Sequence, residues 1–235
     1  VCPNAIWNSV STTSSTSDSK ANTWVTDTTD TQAASAGVER GTITSAIILS
    51  GRAGTGHTVT VTAGAGTTDL QASAVEFGTA TNIQDAVRSS VAGINTTTIT
   101  SDTASPGYPN DFVVALLAYS SSSTNNHVLD PPTINGSAVN VVSIQVDQDG
   151  NTINGIESAY KLDIGTQAPQ IVNWTYDSNA AGGYIGLVVV YRQSGVNGPF
   201  ALAPYIRYTN LAHKIKFLDQ DESGFRDSLD VRGWW

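Results

Sequence analysis

The chain has 235 residues, enough for one large domain or two β-sandwich domains of ordinary size. It is acidic, with 20 Asp+Glu against 11 Lys+Arg, and only 13% of its residues are charged. That balance excludes the basic footprint needed for nucleic acid, and the longest apolar run is far short of the roughly 20 residues a membrane span requires.

Polarity comes mainly from Ser, Thr, Asn and Gly, so the surface interacts through hydroxyls and amides rather than salt bridges. Hydrophobic residues make up 40% of the chain and fall in β-branched runs, which is enough to build a core. Turn signals of Gly, Asn, Asp and Ser are frequent and long helical periodicity is missing, which points to an all-β fold. The single cysteine, Cys2, cannot close an internal disulfide. It reads as a terminal residue of no consequence, with an intermolecular disulfide or a lipid anchor as the sharper alternative. The chain begins with Val, contains no Met and shows no signal peptide, so a processed form or an incomplete start is expected.

Residues 1–36 form a Ser/Thr/Asp-rich opening anchored by Ile6-Trp7 and Trp24-Val25, with one or two short strands. The stretch 38–49, VERGTITSAIIL, reads as a strand, and GRAGTG at 51–56 as a turn, since it lacks the residues of a phosphate loop. Residues 57–62 and 70–77 are expected to form a first hairpin. In 82–93, NIQDAVRSSVAG, the spacing of Ile83, Val87 and Val91 suits a short helix or equally a turn.

A second block contains strand-forming segments at 96–100, 112–120, 133–134, 139–146 and 156–164. It ends in 169–192, PQIVNWTYDSNAAGGYIGLVVVYR, expected to be a second hairpin. In its first half Ile171, Asn173 and Thr175 alternate with Val172, Trp174 and Tyr176. Its second half is a continuous apolar run of the kind found in central strands.

The two blocks look like copies. Gly37-Val38-Glu39 recurs as Gly155-Ile156-Glu157, each about 20 residues before a TVTVT or IVNWT strand, and the offset stays near 114–118 residues. The second copy carries an apolar strand, FVVALLAYS, with no evident counterpart in the first. The first copy is therefore expected to lack a strand and to expose an unpaired edge. The division that follows is a first β-sandwich at 1–93, a second at 94–195 and a C-terminal tail at 196–235.

The tail has no equivalent after the first copy. It contains two strand-capable segments, 203–209 and 212–218, and a dense set of aromatics. It either folds back on its own sandwich or reaches a neighbouring subunit, adding a strand to an open edge or inserting aromatic anchors. Tyr205, Tyr208, Phe217, Phe225, Trp234 and Trp235 are the candidate partner-binding residues.

No catalytic motif stands out. His57, His127 and His213 lack metal-ligand spacing, and GxSxG is absent. Asp147, Asp149 and Asn151 place oxygens at alternate positions, a weak calcium candidate. Gly150 comes too early for an EF-hand and the closing Glu is missing, so a β-turn explains the segment better. Among the tryptophans, candidates for stacking on sugars, Trp174 reads as core and Trp24 as packed under a loop, leaving Trp7, Trp234 and Trp235.

The stretches SDSKANTW, HTVTVTAGAG and ASAVEF, followed by PPTINGSAVNVV, IESAYKL and APQIVNWTYDSNAAGGYIGLVVVY, resemble a loosely defined group of tandem β-sandwich domains. These domains occur in bacteriophage structural proteins and bacterial surface proteins, and the resemblance covers about residues 18–193. It implies an immunoglobulin-like or jelly-roll fold used for display, assembly or adhesion, and brings no catalytic residues. The expectation is a non-enzymatic structural protein of a virion surface or extracellular filament, such as a phage capsid decoration or tail-associated component. Its partners would be copies of itself or other virion subunits, and no cofactor is expected. The alternative is a secreted adhesin or carbohydrate-binding module that recognises surface glycans, with calcium as an option.

Overall fold

Val, Ile and Thr, which are stiff at χ1 and fit a pleated surface, dominate the chain's apolar runs. In a computed structural model of the protein every named element is a β-strand, and all pairings between strands are antiparallel. The structure describes residues 1–8, 13–34, 37–48, 52, 54–77, 84–94, 98–107, 111–121, 129–149, 152–162, 164–165, 168–176, 183–192, 206–207 and 212–216.

The described strands form four sheets stacked as four layers. The first layer has the order β16-β17-β5-β2, from β2 (Ser14–Asp18), β5 (Thr58–Ala63), β16 (Ile206–Arg207) and β17 (Ala212–Lys216). The second is β3-β4-β1-β6, from β1 (Cys2–Asn8), β3 (Trp24–Ala34), β4 (Gly37–Ala46) and β6 (Thr67–Ala72). The third is β12-β13-β9-β15-β7, from β7 (Gln84–Ile94), β9 (Phe112–Ser121), β12 (Asn140–Asp149), β13 (Thr152–Lys161) and β15 (Gly183–Tyr191). The fourth is β11-β10-β14-β8, from β8 (Thr98–Thr100), β10 (Leu129–Ile134), β11 (Ser137–Ala138) and β14 (Val172–Tyr176).

Three cores lie between the layers. Cys2, Leu70 and Ala72 of the second layer, with Ala74 just beyond β6, meet Val59 and Val61 of the first. Ala5, Ile43 and Val75 meet the third layer through Phe112, Val114, Leu116, Ile185, Leu187 and Val189. The opposite face of the third layer packs Val113, Ala115, Leu117, Val188 and Val190 on Ile99, Ile134, Val172 and Trp174 of the fourth. Covering on both faces explains why β9 and β15 read as unbroken apolar runs. Successive residues point to opposite sides, and both sides are dry. Each wholly buried Val, Leu or Ile contributes about 1.5–3 kcal/mol, so these two strands anchor the stack.

Close approach matters at two glycines. A Cβ on Gly41 would sit 3.1 Å from Ile185 Cγ2, so the second and third layers meet there without an intervening side chain. At Gly155, paired with Tyr119 across the strands, a Cβ would enter the space filled by the Tyr119 ring.

Several expectations change. The segment 82–93 is not helical where it is described: β7 is a strand that pairs with β15 along most of its length. Local spacing of Ile83, Val87 and Val91 is outweighed by the free edge that β15 offers. β7 also runs through position 93/94 and joins the sheet of the second block. The two expected hairpins are not hairpins. β5 and β6 lie in different layers, as do β14 and β15, and each connection carries the chain from one sheet to the next. Alternation identifies a half-buried strand, but it does not distinguish a neighbour beside it from one facing it across a core.

Candidate functional site

The described part of the tail meets the body of the protein on β5. The sequence TVTVTA alternates, so Val59 and Val61 are wholly buried while Thr62 is exposed. One edge of β5 pairs with β2, from Ser14↔Ala63 to Asp18↔Val59. The other pairs with β17 over five positions, from Ala212↔Thr62 to Lys216↔Thr58. β16 extends the sheet through Ile206↔Ile215 and Arg207↔Lys214.

A polar anchor fixes the β2 side of this sheet. Asp18 Oδ1 accepts the backbone N–H groups of Lys20, at 2.8 Å, and Asn22, at 3.1 Å. Its Oδ2 accepts the Trp24 indole N–H at 2.7 Å and lies 3.5 Å from His57 Nε2. Burial pushes the Asp18 carboxyl up, but the hydrogen bonds from Asn22, Trp24 and Lys20 outweigh it and hold the group below its ordinary value. The loop that folds around the carboxylate takes a left-handed turn at Ala21, φ 56°. Arg52 donates to the Ala21 carbonyl at 2.6 Å. Further in, Ser14 donates to Asn4 Oδ1 at 2.7 Å and Thr44 to Thr16 Oγ1 at 2.9 Å, tying the first layer to the second. β5 is thus held in place from one side and from beneath, independently of the tail.

The sequence candidates are distributed as follows. β16 and β17 lie inside the two segments expected to form strands, whereas Tyr205, Tyr208, Phe217, Phe225, Trp234 and Trp235 lie outside the described residues. Asp147 pairs with Asn154 and Asp149 with Thr152, leaving positions 150 and 151 as the connection of the β12–β13 hairpin. Asn151 and the side chains of Asp147 and Asp149 lie outside the description. Among the described residues no three His, Cys, Asp or Glu side chains gather as a metal site would require. No described helix is long and apolar enough to cross a membrane.

Trp174 is wholly buried, and the Trp24 indole is committed to Asp18. Cys2 is a buried free thiol in the core between the first two layers, with its thiol pushed by burial up to about 12. It is a core residue rather than an inconsequential terminal one. The Asp18 anchor was missed from sequence. The spacing of Asp18, Asn22 and Trp24 is visible in SDSKANTW, but His57 reaches the carboxylate only through the β2–β5 pairing.

No family model matches the chain, and no curated protein or solved structure is significantly similar to it.

Proposed function

We propose that this chain is a non-enzymatic structural protein that works through subunit–subunit contacts on the outside of a virion or filament. Its contact-making element is the segment 196–235, and a capsid-decoration or tail-associated role in a bacteriophage fits best. The carrying observation is the pairing of β17 with β5. The outer sheet next to the chain's opening strands is extended by a hairpin that follows all of β7–β15 in sequence.

Part of this reading is that the body consists of two copies of one sandwich, the first from the first and second layers and the second from the third and fourth. Strand order supports it. β3-β4-β1-β6 runs as β12-β13-β9-β15 does, and β2 beside β5 runs as β10 beside β14. β4 and β13 are offset by 115 residues, and so are the register shifts at Asp27 in β3 and Val142 in β12. On this alignment FVVALLAYS corresponds to β1, and the strands peculiar to the second copy are β7, β8 and β11. The glycan-binding alternative would fall to Trp7, Trp234 and Trp235, since Trp174 is wholly buried and the Trp24 indole is bonded to Asp18.

The test is the mass of the protein in solution, with and without residues 199–235, with circular dichroism to check that the shortened chain is folded. Large assemblies from the full chain and monomers from the shortened one are expected. Assembly that survives the deletion unchanged overturns the role of the tail.

A further inference from the structure

We propose that the edge of β5 is a strand-acceptor site whose occupant in an assembly is the β16–β17 hairpin of a second copy of this chain. The inference rests on the assembly reading above and specifies its contact.

The second sandwich shows what belongs at this edge. There β14 lies between β10 and β8, with Trp174 opposite Ile99. In the first sandwich β5 lies between β2 and β17, with Val61 opposite His213. Val61 and Trp174 are both wholly buried and face the core of their own sandwich, so β17 lies beside β5 as β8 lies beside β14. The second sandwich takes this strand from the segment just ahead of β9. The first takes it from the far end of the chain. Its outer sheet is completed by a segment joined to it through strand pairing and a long tether.

The number of residues between β15 and β16 allows exchange. Fourteen positions, 192–205, separate the end of β15 from the start of β16. Extended, they span roughly 45–50 Å. A chain of this length has a radius of gyration of about 17 Å, so the hairpin can reach the β5 edge of an adjacent copy. The acceptor does not depend on the donor for its position, because β2 and the Asp18 anchor fix β5 from the other side. Pairing within a chain and pairing between chains form the same ladder. The outcome is then set by effective concentration and tether geometry, as in domain swapping.

The experiment uses full-length chains. Thr62→Cys and Ala212→Cys, at paired positions, are made singly and together, then treated with a short bis-maleimide; the buried Cys2 stays out of the reaction. A second pair, Thr60→Cys with Lys214→Cys, serves if either variant misfolds. The proposal predicts that an equimolar mixture of the two single variants yields covalent dimers of one chain of each kind. In the double variant, an increase of about tenfold in concentration shifts linkage from within chains to between them. Linkage confined to single chains at every concentration overturns the exchange, and no linkage in either sample overturns the pairing itself. The mass of untreated protein separates this from the reading beneath it. Assemblies without mixed dimers sink only the strand exchange, whereas a monomer without mixed dimers sinks both.

Discussion

Tyr191 donates a hydrogen bond to Asp27 at 2.5 Å, joining the end of β15 in the third layer to β3 in the second across 164 residues of sequence. The carboxylate faces inward because of a register shift. Thr26 pairs with Thr44 and Thr28 with Ile43, so Asp27 is an extra residue in its strand and turns its side chain toward the core. Around it Tyr191 stacks on Phe112, with ring centroids 5.3 Å apart, and Phe112 meets Phe77 at 4.3 Å. At the other end of the same interface Ser73 and Ser158 share a hydrogen bond of 2.6 Å and Gln71 donates to the Asn154 carbonyl. The second and third layers are therefore matched by directional bonds as well as by apolar area.

Tyr191→Phe keeps the ring stacking and deletes only the donor to a buried carboxylate. The expected loss is about 1–3 kcal/mol, read as a lower urea midpoint with an unchanged slope. A midpoint equal to that of the parent shows that the bond contributes nothing net.

At Gly155 the physics is steric. Tyr119 is 1% exposed and cannot swing aside, so Gly155→Ala forces a shift in a packed core and costs about 1–3 kcal/mol. Tyr119→Leu removes the ring that the methyl group would meet. The double variant should therefore be more stable than the sum of the two single losses predicts. Strict additivity in thermal unfolding refutes this account of the pair.

The all-β character was legible because strand periodicity is local, written in TVTVT and in the run from Tyr184 to Tyr191. Layering was not, since pairing and facing partners leave the same alternation. The repeat proposed above shows the limit most clearly. Gly37-Val38-Glu39 and Gly155-Ile156-Glu157 match in sequence at an offset of 118, whereas β4 and β13 coincide at 115. A three-residue difference reverses the face each side chain points to, so the shared tripeptide sits at non-equivalent positions in the two strands. The β5 edge was not foreseen, because the shortage expected in the first block was of a counterpart to FVVALLAYS and not of a partner for β5. Its partner lies too far away in sequence for any local pattern to reveal.

Asp18 makes a prediction about acid. Its folded-state carboxyl titrates below the unfolded value, so the anchor contributes stability above about pH 4 that is lost as pH falls through the folded value. Asp18→Asn removes that titration. Its melting temperature should be lower than the parent's at neutral pH, and the gap should close on acidification below about pH 4. A gap that is constant from neutral pH down to about pH 2.5 rules out the carboxylate as the source.

Cys2 offers a probe of the same corner. Its thiol is wholly buried beneath β5 and is pushed up to about 12, against about 8.5 for a free cysteine. At pH 8 the native thiolate fraction is on the order of 10⁻⁴, while an unfolded chain has about a quarter of its thiol ionised. A disulfide reagent should therefore label the native protein on the order of a thousandfold more slowly than the urea-unfolded chain, through ionisation alone and before burial is counted. Lys214→Pro breaks the ladder to Thr60 while leaving β2 paired with β5. If β17 helps to close the first layer over this core, that variant should label faster than the parent at equal global stability. Equal labelling rates mean that β2 and the Asp18 anchor are sufficient to keep the layer shut.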